Sequence, residues 1–198
     1  RITLIDLPGF GRNADVMPQQ YDLPSIASMV ATCLPDKCSL LGWSLGGLVA
    51  QQIAIQQSEH IDKLLLVACS AKFSQDKDWP GIKPEVLAAF ERQLEQDFSK
   101  TLDRFMAIQA MGSETARADI KQIKAHIKHF PIPDDLALQA GLKLLNDSDL
   151  RDKISQIKCS TFRLYGRLDS LVPVRVVPLL EALQANCSSH IFVHASHA

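Results

Sequence analysis

Apolar residues collect in a few short runs and, through the middle of the chain, recur at helical spacing. Ile2 to Leu7, Ser39 to Leu41, Lys63 to Ser70, Thr161 to Gly166 and His190 to His194 read as strands. Leu64-Leu65-Leu66-Val67 is continuous, as a buried parallel strand requires. Gly47 to Ala54 reads as a buried helix rich in small residues. Between Ser70 and Cys159 lie about 80 residues with no convincing strand signal. There Val86, Leu87, Phe90, Leu94, Phe98, Leu102 and Phe105 predict a helix from Pro84, and another runs from about Ser113 to His129. Trp79-Pro80-Gly81 and Phe130-Pro131-Ile132-Pro133 interrupt the pattern. This order predicts an α/β fold, a mostly parallel central sheet with a helical cap inserted between strands. Residues 1–71 would form the first part of the core, 72–150 the cap and 151–198 the second part of the core.

Composition adds little to this and excludes some classes. The 198 residues, 46% hydrophobic, suffice for one core, and a net charge of -1 does not suit a binder of polyanions. No apolar run is long enough to span a bilayer and no signal peptide is recognisable, so the expectation is a cytoplasmic enzyme. Cys33, Cys38, Cys69, Cys159 and Cys187 have no metal or redox spacing and read as buried or half-buried thiols in a reducing compartment. No histidine–cysteine cluster has ligand spacing, so neither a metal nor another cofactor is expected.

The chemistry is carried by residues 42–47, Gly-Trp-Ser-Leu-Gly-Gly, which follow a strand and open a helix. Gly-x-Ser-x-Gly at such a turn holds a serine in a strained backbone with its hydroxyl clear of the sheet. Gly42 and Gly46 flank Ser44 where side chains would block the approach of strand and helix. Leu45 offers a backbone N–H at a helix N-terminus, suited to an oxyanion. The plain alternative is a glycine-rich turn with an incidental serine.

An activated serine needs a base, and the base needs an orienting carboxylate. Asp169 follows the strand that ends at Gly166, and His197 lies just beyond the final strand. Ser44, Asp169 and His197 therefore all fall after strands, in the chain order of an α/β-hydrolase. Asp169 can also be read as a cap for a helix starting near Val172-Pro173. His194 competes as the base, but it falls in the strand body, so the pattern favours His197. His60, His126 and His129 read as surface residues.

Arg1 stands inside a strand, and the chain stops one residue after His197. In this class the second oxyanion donor comes from a loop after an earlier strand. The expectation is a fragment lacking roughly 40 residues before Arg1 and a helix after Ala198, with that donor outside it.

Arg117, Lys121, Lys124 and Lys128 are spaced 4, 3 and 4, so they share one helix face, and Lys100 and Arg104 add to the region. Ala116, Ile120, Ile123 and Ile127 occupy the adjoining face and are expected to pack down. The basic face is either simply solvated or a docking patch for an acidic partner. Without aromatic interleaving it does not suit nucleic acid.

Asp6-Leu7-Pro8-Gly9-Phe10-Gly11, Gly42-Trp43-Ser44-Leu45-Gly46-Gly47, Trp79-Pro80-Gly81-Ile82-Lys83-Pro84, Arg104-Phe105 with Gln109, and Leu164-Tyr165-Gly166 with Leu171-Val172-Pro173 bring a family into view. Across nearly its whole length the chain resembles the carboxylesterases of biotin biosynthesis, which hydrolyse the methyl ester of pimeloyl-[acyl-carrier protein]. The resemblance implies Ser44 as nucleophile, Asp169 as orienting acid, His197 as base and Leu45 N–H as an oxyanion donor. It implies a substrate channel formed by Phe105, Met106, Ala107, Ile108 and Gln109, with Trp43, Ser44, Leu45 and His197 about the ester. It implies that the chain meets an acyl-carrier protein through Arg104 and Arg117; a monomer without membrane or nucleic-acid partners is expected. At Lys100 and Lys121 this chain has lysine where the family can have arginine, which keeps the charge but not bidentate phosphate recognition. A generic short-chain carboxylesterase with the same three residues is the alternative.

Overall fold

In the computed structural model, residues 1–112, 115–127 and 129–198 are described, with residues 98, 99, 116 and 117 described by their backbone alone. Four strands, β1 (Cys38–Trp43), β2 (Ile61–Val67), β3 (Ser160–Gly166) and β4 (Cys187–Phe192), pair in that order and all in parallel. Parallel neighbours need crossovers, and helices supply them. Helix α1 (Leu23–Ala31) precedes β1, and α2 (Leu45–Gln56) joins β1 to β2. Helices α3 (Pro84–Gln96), α4 (Phe98–Gln109), α5 (Ala116–Ile127) and α6 (Asp135–Asp147) lie between β2 and β3, and α7 (Val177–Leu183) joins β3 to β4.

The main core forms where α1 and α2 cover one face of the sheet, with Ile26, Leu48, Ile53, Leu64 and Leu66 all essentially inaccessible. On the same face Arg163 is fully buried, and its Nη2 donates to Gln184 Oε1 at 2.7 Å and Gln51 Oε1 at 3.3 Å. The guanidinium thus ties β3 to α2 and to the end of α7. The opposite face is more open than the apolar runs suggest: Leu41 is 59% and Phe162 42% exposed. Of the five cysteines, Cys69 and Cys159 are buried, but Cys33 is exposed, against the expectation of buried or half-buried thiols.

The helical segment rests on a closed neck. Leu150 N–H donates to Ala71 O at 2.9 Å, and Ser74 Oγ donates to Asn146 O at 2.7 Å. Around them, Arg151 and Lys72 share the carboxylates of Asp149 and Asp76, and the Arg151 guanidinium lies 5.3 Å over the Trp79 ring.

Several expected elements differ. Residues 1–7 form no strand, because no described strand lies beside them to complete a ladder. The helix expected from Pro84 to Phe105 is two, broken at Asp97, whose extended backbone (φ -157°, ψ 95°) lets its side chain cap α4 by accepting from Lys100 N–H. The helix expected at Val172 starts at Val177, after a tight turn over Val174–Val176. On α5, Ile120 and Ile123 are half-buried, whereas Ile127 is 37% exposed.

Candidate active site

Ser44 sits where β1 ends and α2 begins, at φ 52° and ψ -121°, a left-handed conformation that L residues seldom adopt. The surroundings hold it there. Its N–H donates to Val67 O at 3.0 Å, and its carbonyl accepts from Gly47 and Leu48 N–H at 2.9 and 3.2 Å. The close crossing of β1 and α2 needs two glycines. A Cβ on Gly42 would lie 2.6 Å from Gly47 Cα, and one on Gly47 would lie 2.6 Å from Cys69 Sγ. Gly46, expected to make room for that crossing, has open space where its Cβ would be and borders a cavity instead. Helical phase explains the exchange, since the next residue round the turn is the one that faces the sheet.

Asp169 lies beyond the carboxyl end of β3. Its Oδ1 accepts from the N–H groups of Leu171 and Val172, both at 2.8 Å, which leaves Oδ2 to meet His197 Nδ1 at 2.8 Å. On the other side of the ring, His197 Nε2 is 2.8 Å from Ser44 Oγ. Asp169 and His197 are 5% and 3% exposed, so little water competes for either contact. An ionised carboxylate can only accept, so Nδ1 carries the proton and the neutral ring presents the Nε2 lone pair to the serine hydroxyl.

The histidine loop is fixed from three directions. His197 N–H donates to Gln109 O, Trp43 Nε1 donates to His197 O, and Leu168 N–H donates to Ala195 O, each at 3.0 Å. Gly166 makes room for it, since a Cβ there would lie 2.3 Å from Ser196 O. His194 is exposed and lies in the turn after β4, not in the strand body, because β4 ends at Phe192. His60, His126 and His129 are exposed. Among the described residues, no group of three or more His, Cys, Asp or Glu is placed to hold a metal ion.

A cavity of about 420 Å³ opens from Ser44. Trp43, Leu45, Gly46 and Phe10 border its serine end. Its walls come from α3 (Phe90, Leu94), α4 (Thr101, Leu102, Phe105, Gln109) and α6 (Leu138, Gly141, Leu142, Leu145). Leu45 is the first residue of α2, so its N–H has no acceptor within the helix and can serve an oxyanion.

The expectation that Phe105 to Gln109 all line the channel needs correction. Met106 is buried away from the cavity, Ala107 is exposed, and Ile108 packs on the core, so only Phe105 and Gln109 border it. The cause is the 3.6-residue repeat, which turns positions 101, 105 and 109 inward together. The α6 residues, which the sequence reading did not single out, show the same stripe at 138, 141, 142 and 145. Asp6 also borders the cavity, with its Oδ2 accepting from Arg12 N–H at 3.0 Å.

The expected basic face is partly neutralised. Lys100 pairs with Asp97 at 2.9 Å, Lys124 pairs with Asp103 at 2.7 Å, and Arg104 donates to Gln93 Oε1 at 2.9 Å. Lys121 is exposed, and Lys128 and the Arg117 side chain lie outside the described residues.

Comparison with known proteins agrees with this architecture. The family model of the alpha/beta hydrolase fold matches residues 1–198. A pimeloyl-[acyl-carrier protein] methyl ester esterase of Pseudoalteromonas atlantica is 49% identical over all 198 residues, which span 77% of that relative. A protein of the same description from Aeromonas hydrophila is 48% identical, with 78% of its length covered. Among solved structures, an esterase from Exiguobacterium antarcticum superposes with a TM-score of 0.84 at 22% identity, covering 98% of this chain and 73% of that one. At that identity the likeness concerns the fold alone.

Proposed function

The chain belongs to the alpha/beta hydrolase fold family, and we propose that it is a serine carboxylesterase that hydrolyses the methyl ester of pimeloyl-[acyl-carrier protein] in biotin biosynthesis. The observation that carries the chemistry is the relay of 2.8 Å contacts from Ser44 Oγ through His197 to Asp169, at the end of an apolar cavity. The substrate is supported by the relatives of that description at 48–49% identity over the full chain.

In this reading His197 Nε2 takes the proton as Ser44 Oγ attacks the ester carbonyl, and Asp169 steadies the imidazolium. The carbonyl oxygen becomes an oxyanion facing Leu45 N–H. Collapse breaks the bond to the methoxy oxygen, which leaves as methanol with the proton from His197. Water, deprotonated by the same ring, then attacks the acyl-serine. Ser44 recovers its proton, and the free pimeloyl carboxylate departs, still thioester-linked to its carrier. Among the described residues Asp6 is the one carboxylate bordering the cavity, and it disfavours rebinding of that anionic product.

The helical segment 72–150 serves as the cap over this site, and the acyl chain runs beneath it along α4. Lys100, Arg104 and Lys121 form the side offered to the acidic carrier, Arg117 being the further docking residue expected from the sequence, and the enzyme acts as a cytoplasmic monomer. A generic short-chain esterase is a second reading, favoured by the internal pairing of Lys100 and Lys124.

Methanol release from the carrier-linked methyl ester and hydrolysis of p-nitrophenyl acetate distinguish the two. Wild type is expected to perform both reactions, Ser44→Ala neither, and Lys121→Glu to lose mainly the first. Wild type that cleaves only the free ester would remove the biotin assignment.

A further inference from the structure

Phe90 stands between two spaces. It borders the cavity of about 420 Å³ and also a surface groove of about 150 Å³ formed with Glu85, Val86, Ala89, Gln93 and Arg104. The ring itself is only 4% exposed. On its inner side it meets Phe105 edge-to-face, with centroids 5.5 Å apart and planes at 89°. On its outer side the Arg104 guanidinium lies 5.8 Å over the ring, held by the 2.9 Å hydrogen bond to Gln93. One aromatic side chain, braced from both directions, thus separates the inner cavity from the outer groove.

Its position along the cavity gives the ring a consequence. Helix α4 lines the cavity from Gln109, whose carbonyl holds the His197 loop, back through Phe105 to Thr101. These residues are spaced by whole turns of about 6 Å each, so the wall runs roughly 12 Å from the reacting end. Phe90 packs against its middle turn. An acyl chain extending from Ser44 along α4 therefore meets the Phe90 ring before it can reach the groove.

We propose that Phe90 is a specificity-determining residue, whose ring is the partition that limits the acyl cavity and whose displacement joins that cavity to the Glu85–Gln93–Arg104 groove. The added space is about a third of the present cavity. The inference rests on the cavity being the acyl site, as read above. Apolar pockets gain on the order of tenfold or more per methylene they can accommodate, so a change in reach registers as a change in chain-length profile.

The test measures kcat/KM for p-nitrophenyl esters from acetate to dodecanoate, with wild type, Phe90→Ala, Phe90→Leu and Phe90→Trp, alongside the melting temperature of each. The dodecanoate-to-acetate ratio is expected to rise about tenfold or more in Phe90→Ala, to rise less in Phe90→Leu, and to fall in Phe90→Trp. If Phe90→Ala does not fold, the Leu and Trp variants carry the decision. Ratios within twofold of wild type, or a parallel loss for all lengths, would mean that the ring only packs, and would overturn the proposal. Free esters keep this result separate from the carrier reading, which fails only if wild type releases no methanol from the carrier-linked ester.

Discussion

Gly46 and Gly47 are adjacent in sequence, yet their replacement by alanine should have opposite effects. Alanine in a helix is favoured over glycine by about 1 kcal/mol, so either substitution stabilises if its methyl has room. At Gly46 it has room, with nothing within 4 Å of the Cβ position. At Gly47 the new Cβ would lie 2.6 Å from Cys69 Sγ and 2.7 Å from Cys69 Cβ. The sulfur can rotate away, but the Cβ is fixed to backbone next to Ala68, itself held at φ 47°. Carbon contacts settle near 3.5–4.0 Å, so α2 must move outward by about 1 Å or the core must strain. Overpacking of this kind costs about 1–3 kcal/mol, which leaves Gly47→Ala destabilised by up to about 2 kcal/mol after the helical gain. For a chain of this size each kcal/mol moves the melting temperature by about 2–4 °C. Gly47→Ala should therefore melt below wild type, by up to about 8 °C, and Gly46→Ala at or above it. Because α2 carries Ser44 at its first turn, the same shift stretches the 2.8 Å Ser44–His197 contact, and kcat should fall on the order of 10²-fold. Thermal melts and p-nitrophenyl acetate turnover read both effects. A Gly47→Ala protein with wild-type melting temperature and kcat would refute the close-crossing argument.

The other predictions are independent of that one. Asp169→Asn should retain its fold but lose about 10³–10⁴-fold in kcat, because an amide facing Nδ1 turns the His197 proton toward Ser44; p-nitrophenyl ester kinetics with a melting curve check it. Gly141→Ala should raise stability by up to about 1 kcal/mol, since its Cβ would make ordinary contact 3.5 Å from Leu45 Cδ2 and 3.7 Å from Phe10 Cζ; the same methyl should raise KM for long-chain esters more than for acetate. The neck supplies a pH test. The Arg151 side-chain hydrogen bond, against an opposing effect of burial, lowers the Asp149 pKa from 3.8 to about 2. A depressed carboxylate stabilises the fold above its unfolded pKa and loses that contribution as pH falls through the folded value. The gap in melting temperature between wild type and Asp149→Asn should thus be constant above about pH 5 and shrink between about pH 4 and 2.

Where local rules act alone, the sequence was readable. The strained turn at Ser44 follows from a Gly-x-Ser-x-Gly pattern between a strand and a helix, and three candidate residues placed after strands do meet in space. What was not readable depended on phase or on distant partners. Phe105 to Gln109 is not one lining stretch, because the helix turns the three residues between Phe105 and Gln109 away from the cavity. That the crossing needs Gly47 and not Gly46 depends on the position of Cys69, more than twenty residues away in the chain. Of the two pairs that temper the basic stripe, Asp97–Lys100 is local, three residues apart at the start of α4, whereas Asp103 approaches Lys124 only once α4 and α5 are placed. Arg163 sat in a strand signal with no hint that Gln51 and Gln184 would receive it. Residues 1–7 carry a strand-like pattern, but a pattern becomes a strand only beside a partner.

The most direct measurement is mass spectrometry of the protein acid-quenched during turnover of pimeloyl-[acyl-carrier protein] methyl ester, with methanol quantified in parallel. The account predicts methanol release accompanied by an acyl adduct on the peptide containing Ser44, with both absent in Ser44→Ala. Methanol release that persists in Ser44→Ala, without any adduct at that position, would contradict it.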